Sequence, residues 1–413
     1  MFKFIHIADV HLDTHFLSKN EWLRERLRSS LREAFKRVID LCIEEKANAL
    51  LIAGDLFDND KLSFQTEQFL VDSFKRLEKN NIVVIYTTGN HDPGDATYRA
   101  NNIKWSSNVR AIKNEDVEIV DIIDKKGKCI AKVVGVGHKT SKESRNLIKK
   151  FPEKEVGVTY IGLAHASVIN AFEVNKHDKY LPTSINDLES KNYDYWALGH
   201  IHKRQCISDL QEIHYCGNIQ GRHPRETGIK GGLLVTIDNE VVSVEFKQLS
   251  SIRWETITID TLAGMQSYEE LKNKILEEVL VYVEVNNCDK NNLIARIELV
   301  GSCLLKTELE EESNIEELEN DIRSDLDLLE IEVKIDKLTH SVDIENYIEG
   351  NHVLSEILTV IKSFEENDEY IDRLSKIEFI NNDAKKNSKQ DYIKEIVKEL
   401  GAEIVSRMVG EKK

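Results

Sequence analysis

The stretch IVVIYTTGNHDPG, residues 82–94, indicates the fold class because it joins a buried strand to a run of polar groups. Its first half is rich in β-branched and aromatic residues, which is typical of a strand buried in a parallel sheet. The strand signal stops at Gly89, and Asn90, His91 and Asp92 follow directly. Because α/β proteins bind ligands at the carboxyl ends of parallel strands, we expect these residues to lie in a functional site.

Outward from this stretch, residues 1–100 alternate between strand and helix signals, which favours a parallel sheet covered by helices. Strand-like runs include KFIHIAD at 3–9 and ALLIAGD at 49–55, and helical patterns cover 21–47 and 63–80. Six more strand-like runs follow, starting at residues 117, 129, 158, 194, 212 and 231. We therefore predict an α/β fold for residues 1–250, a two-sheet α/β sandwich with helices outside.

Residues 251–340 show a β-α-β-α-β pattern, which predicts a small, separate α+β domain. Residues 341–413 keep only helical spacing and are predicted to form a helical tail. An apolar stripe on this tail is formed by Ile393, Ile396, Val397, Leu400, Ile404 and Val405. The stripe could bind a partner, pack onto the chain's own body or mediate self-association.

Net charge is distributed unevenly along the 413 residues, which carry −17 in total. Residues 251–413 carry a net charge of −18, and residues 1–250 carry +1, so the first part is free to meet phosphate. The six cysteines form no CxxC pair, which favours a reducing compartment. Because we find neither a secretory signal nor a long apolar run, we expect a cytoplasmic protein without a membrane segment.

Polar side chains also follow four other predicted strands. They are Asp9 and His11 in ADVH, Asp55 in GDLFD, His165 in LAHA, and His200 and His202 in GHIH. Residues i and i+2 of a strand point to the same side, so two of these motifs can each act as a pair. Mixed nitrogen and oxygen donors suit Mn²⁺, Fe²⁺ or Zn²⁺ better than Mg²⁺. Two such ions can clamp a phosphate, and Asp55 is the natural bridging carboxylate.

The order DxH, GDxxD, GNHD, H and GHxH resembles the calcineurin-like metallophosphoesterase superfamily over about residues 1–225. The resemblance implies two metal sites that share Asp55. One would use Asp9, His11, Asp55 and His202, and the other Asp55, Asn90, His165 and His200. It also implies that His91 donates a proton to the leaving oxygen or stabilises its charge, that Asp92 orients His91, and that metal-activated water is the nucleophile.

Some polar residues near these motifs have no assigned role. A lone histidine in a strand is more often packed than ligating, so we interpret His6 and His214 as structural. Asp58 and His15 lie close to the motifs in sequence, but neither is assigned as a ligand. The segment that begins at Asp58 starts like a calcium loop, yet it lacks the required glycine and glutamate.

A narrower resemblance connects the chain to the DNA exonuclease subunits of the SbcD and YhaO type. It rests on FKFIHIADVHLD, YCGNIQGRHPRETGIKGG and the added domain with its helical tail. The resemblance implies a capping domain at 251–340, a tail at 341–413 that binds an SMC-like ABC ATPase, and a homodimer.

The predicted function is therefore a Mn²⁺-dependent, two-metal DNA nuclease, and the alternative is a phosphoesterase of nucleotides or small phosphate esters. A metal-free scaffold is disfavoured because no expected ligand is missing. Arg204, Arg222 and Arg225 are predicted to hold backbone phosphates, with structural salt bridges as an equal alternative. The basic helix segment Arg24 to Arg37 is compatible with DNA but also with an ordinary solvated face.

Overall fold

The computed structural model describes residues 1–17, 20–58, 62–95, 98–169, 180–340, 345–350 and 352–375, and nine residues between 393 and 408. The chain divides into two compact units, Met1–Trp254 and Glu255–Lys413. The described strands are β1 (Phe2–Ile7), β2 (Ala49–Ala53), β3 (Val83–Thr87), β4 (Val109–Ile112), β5 (Glu118–Ile123), β6 (Cys129–Val136), β7 (Tyr160–His165), β8 (Val168–Ile169), β9 (Thr183–Ser184), β10 (Tyr195–Gly199), β11 (Gln205–Cys206), β12 (Ile213–Tyr215), β13 (Gly231–Asp238), β14 (Val241–Gln248), β15 (Arg253–Ile259), β16 (Leu293–Cys303) and β17 (Glu330–His340). The described α-helices are α1 (Glu21–Glu44), α2 (Phe64–Lys79), α3 (Ile185–Glu189), α4 (Tyr268–Val285), α5 (Lys306–Leu309), α6 (Glu312–Leu326), α7 (Glu345–Ile348), α8 (Val353–Glu366) and α9 (Asp368–Ser375).

Two six-stranded sheets form the first unit and confirm the predicted α/β sandwich. The first has the strand order β14-β13-β1-β2-β3-β4, and the second has β11-β12-β10-β7-β6-β5. In the first, β1 to β4 are parallel, whereas β13 pairs antiparallel with both β1 and β14. In the second, β6, β7, β10 and β12 are parallel. The parallel strands of each sheet therefore end at one common edge.

The core between the sheets follows from side-chain alternation along the strands. Phe4 and Leu51 point inward from the first sheet and join Ile161, Leu163 and Tyr195 of the second in one buried cluster. All five are completely buried. Because both faces of the central strands are covered, their sequences are almost continuously apolar.

Helices α1 and α2 pack together in the first unit through aromatic side chains. Phe35 of α1 contacts Phe69 and Phe74 of α2, with ring centroids 6.0 Å apart in each case. Each helix has a side-chain N-cap that bonds the backbone N–H three residues on, Asn20 for α1 and Ser63 for α2. Such caps satisfy N–H groups that the first helical turn leaves without partners.

The second unit contains the three-stranded sheet β15-β16-β17. Its core is formed by Ile275 and Val279 of α4, Leu318 and Ile322 of α6, and residues of the sheet. No helix among the described residues is both long enough and apolar enough to cross a membrane. The boundaries predicted for a capping domain and a tail remain a proposal.

Part of the predicted apolar stripe on the tail packs within its own unit. Val405 clusters with Leu354 and Leu358 of α8. Ile393 and Val397 cluster with Ile371 of α9. Packing onto the chain's own body, one of the open alternatives, thus accounts for these tail residues.

Strands β4 and β14 did not stand out in the sequence. Strand β14 reads VVSVEFKQ and forms the outer edge of the first sheet, where its residues are half-buried or exposed. Strand β4 has only four residues. Short strands and edge strands bury little apolar surface, so their sequence patterns are weak.

Candidate metal centre

Seven of the predicted ligands meet where β1, β2, β3, β7 and β10 end, and we call them the strand-end cluster. Its members are Asp9, His11, Asp55, Asn90, His165, His200 and His202. Because these strands are parallel within their sheets, the loops that follow them converge at one edge. Five sequence motifs separated by up to about two hundred residues are thereby brought into contact.

Asp9 lies between the donors of two different strand ends. Its Oδ1 atom is 3.7 Å from Nε2 of His202 and 4.0 Å from Nδ1 of His165. Both Asp9 carboxylate oxygens also accept the backbone N–H of His200 at 3.1 Å. A carboxylate oxygen, an imidazole nitrogen of His11 and one of His202 lie within 4.8 Å of one another. They form the first half of the centre.

Asp55 occupies the middle of the cluster. Its Oδ2 atom lies 3.7 Å from Nε2 of His11 and 3.3 Å from Nε2 of His165. The same His165 nitrogen is 2.9 Å from Oδ1 of Asn90. Asp55 therefore faces ligands from both predicted metal sites, as a bridging carboxylate must.

Local backbone geometry directs these donors. Asp9, His11 and Asp55 have φ angles of 51°, 50° and 50°, in the left-handed region that side chains with a Cβ rarely adopt. Gly54, directly before Asp55, also has a positive φ, and a Cβ there would lie 2.4 Å from Nδ1 of His165. The glycine is thus required both by its conformation and by the close approach of the imidazole.

The surroundings of the His11 ring indicate whether the cluster suits a metal ion. The side chain is completely buried, and its Nδ1 and Nε2 atoms lie 3.5 and 3.7 Å from the carboxylates of Asp58 and Asp55, too far for good hydrogen bonds. Buried polar atoms rarely remain unsatisfied, because each one costs free energy. Burial and the charge of Arg222 lower the pKa of His11 to about 3, so the ring is neutral and able to ligate. These features fit a divalent cation.

Electrostatics of the buried pair Asp55 and His165 lead to the same conclusion. Burial alone would raise the pKa of Asp55, but His165 and His11 hold it well below its usual range. Burial alone would lower the pKa of His165, but Asp55 and Asp9 raise it to about 9. Without a cation, the His165 imidazolium balances the charge of Asp55, and a metal ion would take over this function.

The partner of His91 differs from our expectation. Nδ1 of His91 lies 2.9 Å from Oδ1 of Asp58, and the His91 backbone N–H donates to Oδ1 of Asp55. Burial lowers the pKa of His91, but the hydrogen bond to Asp58 and the charge of Asp55 outweigh it, so the net shift is upward. Asp58, to which the sequence assigned no role, is therefore the carboxylate that orients His91.

Asp92 has a different function in the structure, and its predicted contact with His91 is wrong. Its Oδ2 accepts the backbone N–H groups of Leu56 and Phe57 at 2.6 and 3.3 Å and the Tyr86 hydroxyl at 2.5 Å. Its Oδ1 accepts the backbone N–H of Gly89 at 2.7 Å. Asp92 thus joins the loops after β2 and β3, because its side chain turns inward while that of His91 is 41% exposed.

A second residue without a predicted role is Glu226, which is buried beside His202. Its Oε1 accepts the Nδ1–H of His202 at 2.6 Å, and its Oε2 accepts the backbone N–H of Arg222 at 2.7 Å. A carboxylate on the far nitrogen of a ligating imidazole fixes the tautomer and orientation of the ring. Glu226 lies within GRHPRETG, but nothing in the sequence connects it to a motif 24 residues earlier.

Of the three predicted phosphate-binding arginines, the structure brings Arg222 to the cluster. Its guanidinium lies 3.6 Å from carboxylate oxygens of both Asp58 and Glu226. The Arg204 guanidinium lies over the ring of Phe246, 4.0 Å from its centroid. The Arg225 side chain is exposed.

Basic residues of α1 are partly engaged in structural contacts. Arg26 and Arg28 form ion pairs with Glu33 and Glu25. Arg37 donates to the backbone carbonyls of Leu249 and Ser250. For these arginines the ordinary structural interpretation holds, so the helix adds little support for a DNA surface.

Two further histidines of the unit lie in structural contacts. His6 is completely buried, with its Nδ1 atom 3.0 Å from the Tyr195 hydroxyl. His138, also buried, has its Nε2 atom 2.7 Å from the backbone carbonyl of His165 and packs edge-to-face on that ring. His138 therefore supports the position of a predicted ligand from behind.

Comparisons with known proteins agree with this chemistry. A family model described as calcineurin-like phosphoesterase matches residues 2–204. The metallophosphoesterase YhaO of Bacillus subtilis is 33% identical over 261 residues, which are 62% of this chain and 62% of that protein.

Two more relatives are each named DNA double-strand break repair protein Mre11. The protein from Archaeoglobus fulgidus is 23% identical over 400 residues, which cover 86% of both chains. The protein from Sulfurisphaera tokodaii is 22% identical over 408 residues, 93% of this chain and 98% of that one.

Proposed function

We propose that the protein is a two-metal DNA nuclease that hydrolyses phosphodiester bonds, with residues 2–204, which match the calcineurin-like phosphoesterase family model, as its catalytic part. The observation that carries this proposal is the convergence of seven donor residues at the strand ends, with the buried Asp55 among them. In the proposed mechanism one metal would be held by Asp9, His11, Asp55 and His202, and the other by Asp55, Asn90, His165 and His200. Bound divalent metals supply a water nucleophile at neutral pH and neutralise charge on the phosphate.

The residues around the metals orient the ligands and limit their motion. Glu226 holds His202 through its Nδ1–H, and the backbone carbonyl of Ala53 accepts the Nδ1–H of His165 at 2.9 Å. In both imidazoles this leaves Nε2 directed toward the carboxylates. Fixed tautomers of this kind position metal ligands before substrate arrives.

His91 is proposed to act on the phosphate rather than on a metal. Its side chain is 41% exposed, and Asp58 holds its Nδ1–H. The opposite ring nitrogen, Nε2, can donate a proton to the leaving oxygen. The raised pKa of His91 favours the protonated ring that this step requires.

DNA as the substrate class is supported by the relatives rather than by the site. Two proteins named for DNA double-strand break repair align with 86% and 93% of this chain. The charge distribution is compatible, because residues 1–250 carry a net charge of +1 while the second part is strongly acidic. Arg222, at the edge of the centre, is the candidate contact to a backbone phosphate.

A partner and a second copy also belong to the proposal. Val353 and Val360 of α8 and Ile396 and Leu400 of the tail are exposed by 65%, 53%, 42% and 44%. We propose that residues 341–413 bind an SMC-like ABC ATPase through these exposed apolar side chains. Ile396→Asp with Leu400→Asp should then abolish co-purification with such an ATPase, whereas Val156→Asp, at an exposed valine of the first unit, should not.

Homodimerisation is proposed through the first unit, where Trp22 and Phe64 are 60% and 80% exposed near the starts of α1 and α2. Mn²⁺ is the proposed metal, since the donor set mixes imidazole nitrogen with carboxylate and amide oxygen. A cytoplasmic location is proposed because all six cysteines are unpaired thiols.

The experiment that tests the function compares two substrates, end-labelled double-stranded DNA and the small ester bis-p-nitrophenyl phosphate. Each is incubated with Mn²⁺, Mg²⁺ or EDTA. We expect Mn²⁺-dependent degradation of DNA that disappears in His91→Ala while bound metal is retained. Asp209→Asn, at an exposed carboxylate outside the centre, is the matched control and should behave as the wild type.

Cleavage of the small ester with intact DNA, in the presence of the ATPase partner as well as without it, would favour the alternative phosphoesterase. Loss of metal from His91→Ala would instead make His91 a ligand. Degradation of DNA in EDTA at an unchanged rate would contradict the metal mechanism.

A further inference from the structure

A second group of potential metal ligands lies on the hairpin formed by β11 and β12. It consists of Cys206, Glu212 and His214, which we call the hairpin cluster. One donor atom from each residue lies within 4.8 Å of the other two. No member belongs to the strand-end cluster, and the phosphodiesterase chemistry uses none of them.

Strand geometry explains why these residues meet. Cys206 and His214 are directly opposite each other in the antiparallel pair, so their side chains leave the same face. Glu212 precedes His214 by two residues and therefore points to that face as well. The hairpin thus places sulfur, carboxylate and imidazole donors side by side without any help from distant parts of the chain.

The imidazole of His214 is held in place from behind. It stacks on the ring of Tyr195, with centroids 5.1 Å apart and planes 10° apart. The Tyr195 hydroxyl is in turn 3.0 Å from Nδ1 of the buried His6. The stacking on Tyr195 fixes the His214 ring so that its Nε2 atom faces the carboxylate of Glu212, 2.6 Å away. His214 has the rigid support that metal-binding imidazoles need.

The other two donors are open to water. Cys206 is exposed, and its thiol donates to the backbone carbonyl of Ser208 at 3.3 Å. The Glu212 side chain is 41% exposed, whereas that of His214 is 11% exposed. A cation can therefore reach the cluster from solvent, and a water molecule can complete its coordination.

From this arrangement we propose that the hairpin cluster binds a thiophilic divalent cation, Zn²⁺ by preference. The ligands would be Sγ of Cys206, a carboxylate oxygen of Glu212 and Nε2 of His214. Binding replaces the thiol proton of Cys206, which leaves to solvent as the sulfur–metal bond forms. Tetrahedral zinc with bonds of about 2.0–2.3 Å holds its ligand atoms roughly 3.3–3.8 Å apart, which small rotations of these side chains achieve.

The sulfur donor separates this site from the strand-end cluster. Thiolate with imidazole selects zinc-like ions, whereas the nitrogen and oxygen donors of the strand-end cluster also suit harder ions such as Mn²⁺. The two sites should therefore fill with different metals from a mixture. The inference does not depend on whether DNA is the substrate.

The test uses the full-length, reduced and metal-free protein titrated with Co²⁺, a spectroscopic substitute for zinc. Thiolate ligation produces a sulfur-to-cobalt charge-transfer absorption in the near ultraviolet, which nitrogen and oxygen ligands do not give. We expect this absorption in the wild type, its saturation at one sulfur-bound Co²⁺ per chain, and its loss when Zn²⁺ is added.

Cys206→Ser should lose the absorption, and Glu212→Gln should weaken Co²⁺ binding roughly tenfold. Cys129→Ser, which changes a half-buried thiol elsewhere in the same unit, is the matched control and should keep the full signal. Circular dichroism verifies that each variant is folded, and Cys206→Ala serves as a second variant. The proposal fails if the wild type shows no such absorption or if folded Cys206→Ser retains it.

Discussion

The strand-end cluster and the hairpin cluster use similar side chains but are built by different levels of structure. The first draws its donors from five strand ends, so it exists only when both sheets are in place. The second comes from one hairpin in which Cys206 and His214 are cross-strand neighbours. One is a product of the fold, and the other is a product of local geometry.

The two clusters also differ in burial, which determines how strongly each one needs a metal ion. Asp9, His11 and Asp55 are 1%, 0% and 2% exposed, whereas Cys206 faces solvent. Water can satisfy exposed donors, but it cannot reach buried ones, so unpaired buried donors cost free energy unless a cation joins them. Metal should therefore be essential to the chemistry of the strand-end cluster and optional for the integrity of the hairpin.

The largest effect is expected from Asp55→Asn. Asp55 faces His11 and His165 at 3.7 and 3.3 Å, so the change removes the charge shared by both halves of the centre. Metal ions supply several kcal/mol of transition-state stabilisation, which corresponds to a rate loss of roughly 10³-fold or more. Hydrolysis of bis-p-nitrophenyl phosphate and metal content by mass spectrometry measure the two consequences.

The same variant separates the two clusters. Asp55→Asn should keep the sulfur-to-cobalt absorption of the hairpin, because no ligand there has changed. If that absorption disappears together with activity, the two clusters are not independent and the comparison is wrong. Asp209→Asn, which leaves both clusters intact, should retain activity and absorption.

The next largest effect concerns the two carboxylates near His91. Asp58→Asn should lower kcat roughly 10²-fold with metal retained, because Asp58 positions the proton donor. Removing the Asp58 charge also lowers the pKa of His91, so the protonated ring is lost at a lower pH. The falling limb of the kcat–pH profile should therefore move to lower pH.

Asp92→Asn provides the contrast, since Asp92 accepts hydrogen bonds from two loops and from Tyr86. We expect a lower melting temperature with an unchanged position of the falling limb. A shifted limb in Asp92→Asn and an unshifted one in Asp58→Asn would restore the assignment that the sequence suggested.

Sequence alone predicted the fold and placed the strand-end donors because each motif directly follows an apolar strand. Parallel strands end at a common edge, so Asp9, Asp55 and Asn90 had to be neighbours once the sheet order was understood. The two-residue spacing of His200 and His202 likewise indicated a functional pair, although His200 has a φ of 97° and is not in regular strand geometry. These inferences need only the positions of the polar residues directly after the strands and the parallel direction of those strands.

The remaining contacts depend on geometry that a sequence does not encode locally. Which of Asp58 and Asp92 meets His91 is decided by loop torsions, including the left-handed backbone of Asp55. Glu226 reaches His202 only after the chain has formed β11 and β12 and returned. The hairpin cluster was missed for a related reason, since β11 has only two residues and gives no strand signal.

A smaller effect is expected from Glu226→Gln, which tests support behind a ligand. The amide keeps the shape of the side chain but loses the charge that faces Nδ1 of His202 at 2.6 Å. Support of this kind is worth roughly 10–100-fold in metal affinity. We expect the Mn²⁺ concentration needed for half-maximal activity to rise by this factor, with kcat nearly restored at saturating Mn²⁺.

Glu240→Gln, in the exposed turn between β13 and β14, is the matched control and should not change the Mn²⁺ requirement. A kcat that stays low in Glu226→Gln at every Mn²⁺ concentration would mean that Glu226 acts on substrate. Glu226 would then not support a metal-binding imidazole in the way that Tyr195 supports His214, and the two clusters would differ in this respect.

The smallest effect is expected in the pH dependence of metal binding, because the strand-end cluster should release a proton when metal binds. Without a cation, both nitrogens of His165 carry protons, since Nδ1 faces the Ala53 carbonyl and Nε2 faces Asn90 Oδ1, both at 2.9 Å. A ligating Nε2 must lose its proton, and the pKa of His165 is raised to about 9. Between neutral pH and about 9, Mn²⁺ affinity should therefore rise roughly tenfold per pH unit, because each binding event releases one proton.

Calorimetric titration in buffers of different ionisation enthalpy measures that proton. The variant His165→Gln, which keeps a polar group but cannot be protonated, should abolish its release. An Mn²⁺ affinity independent of pH in the wild type would mean that His165 is neutral before metal arrives, so the buried carboxylates would need another counter-charge.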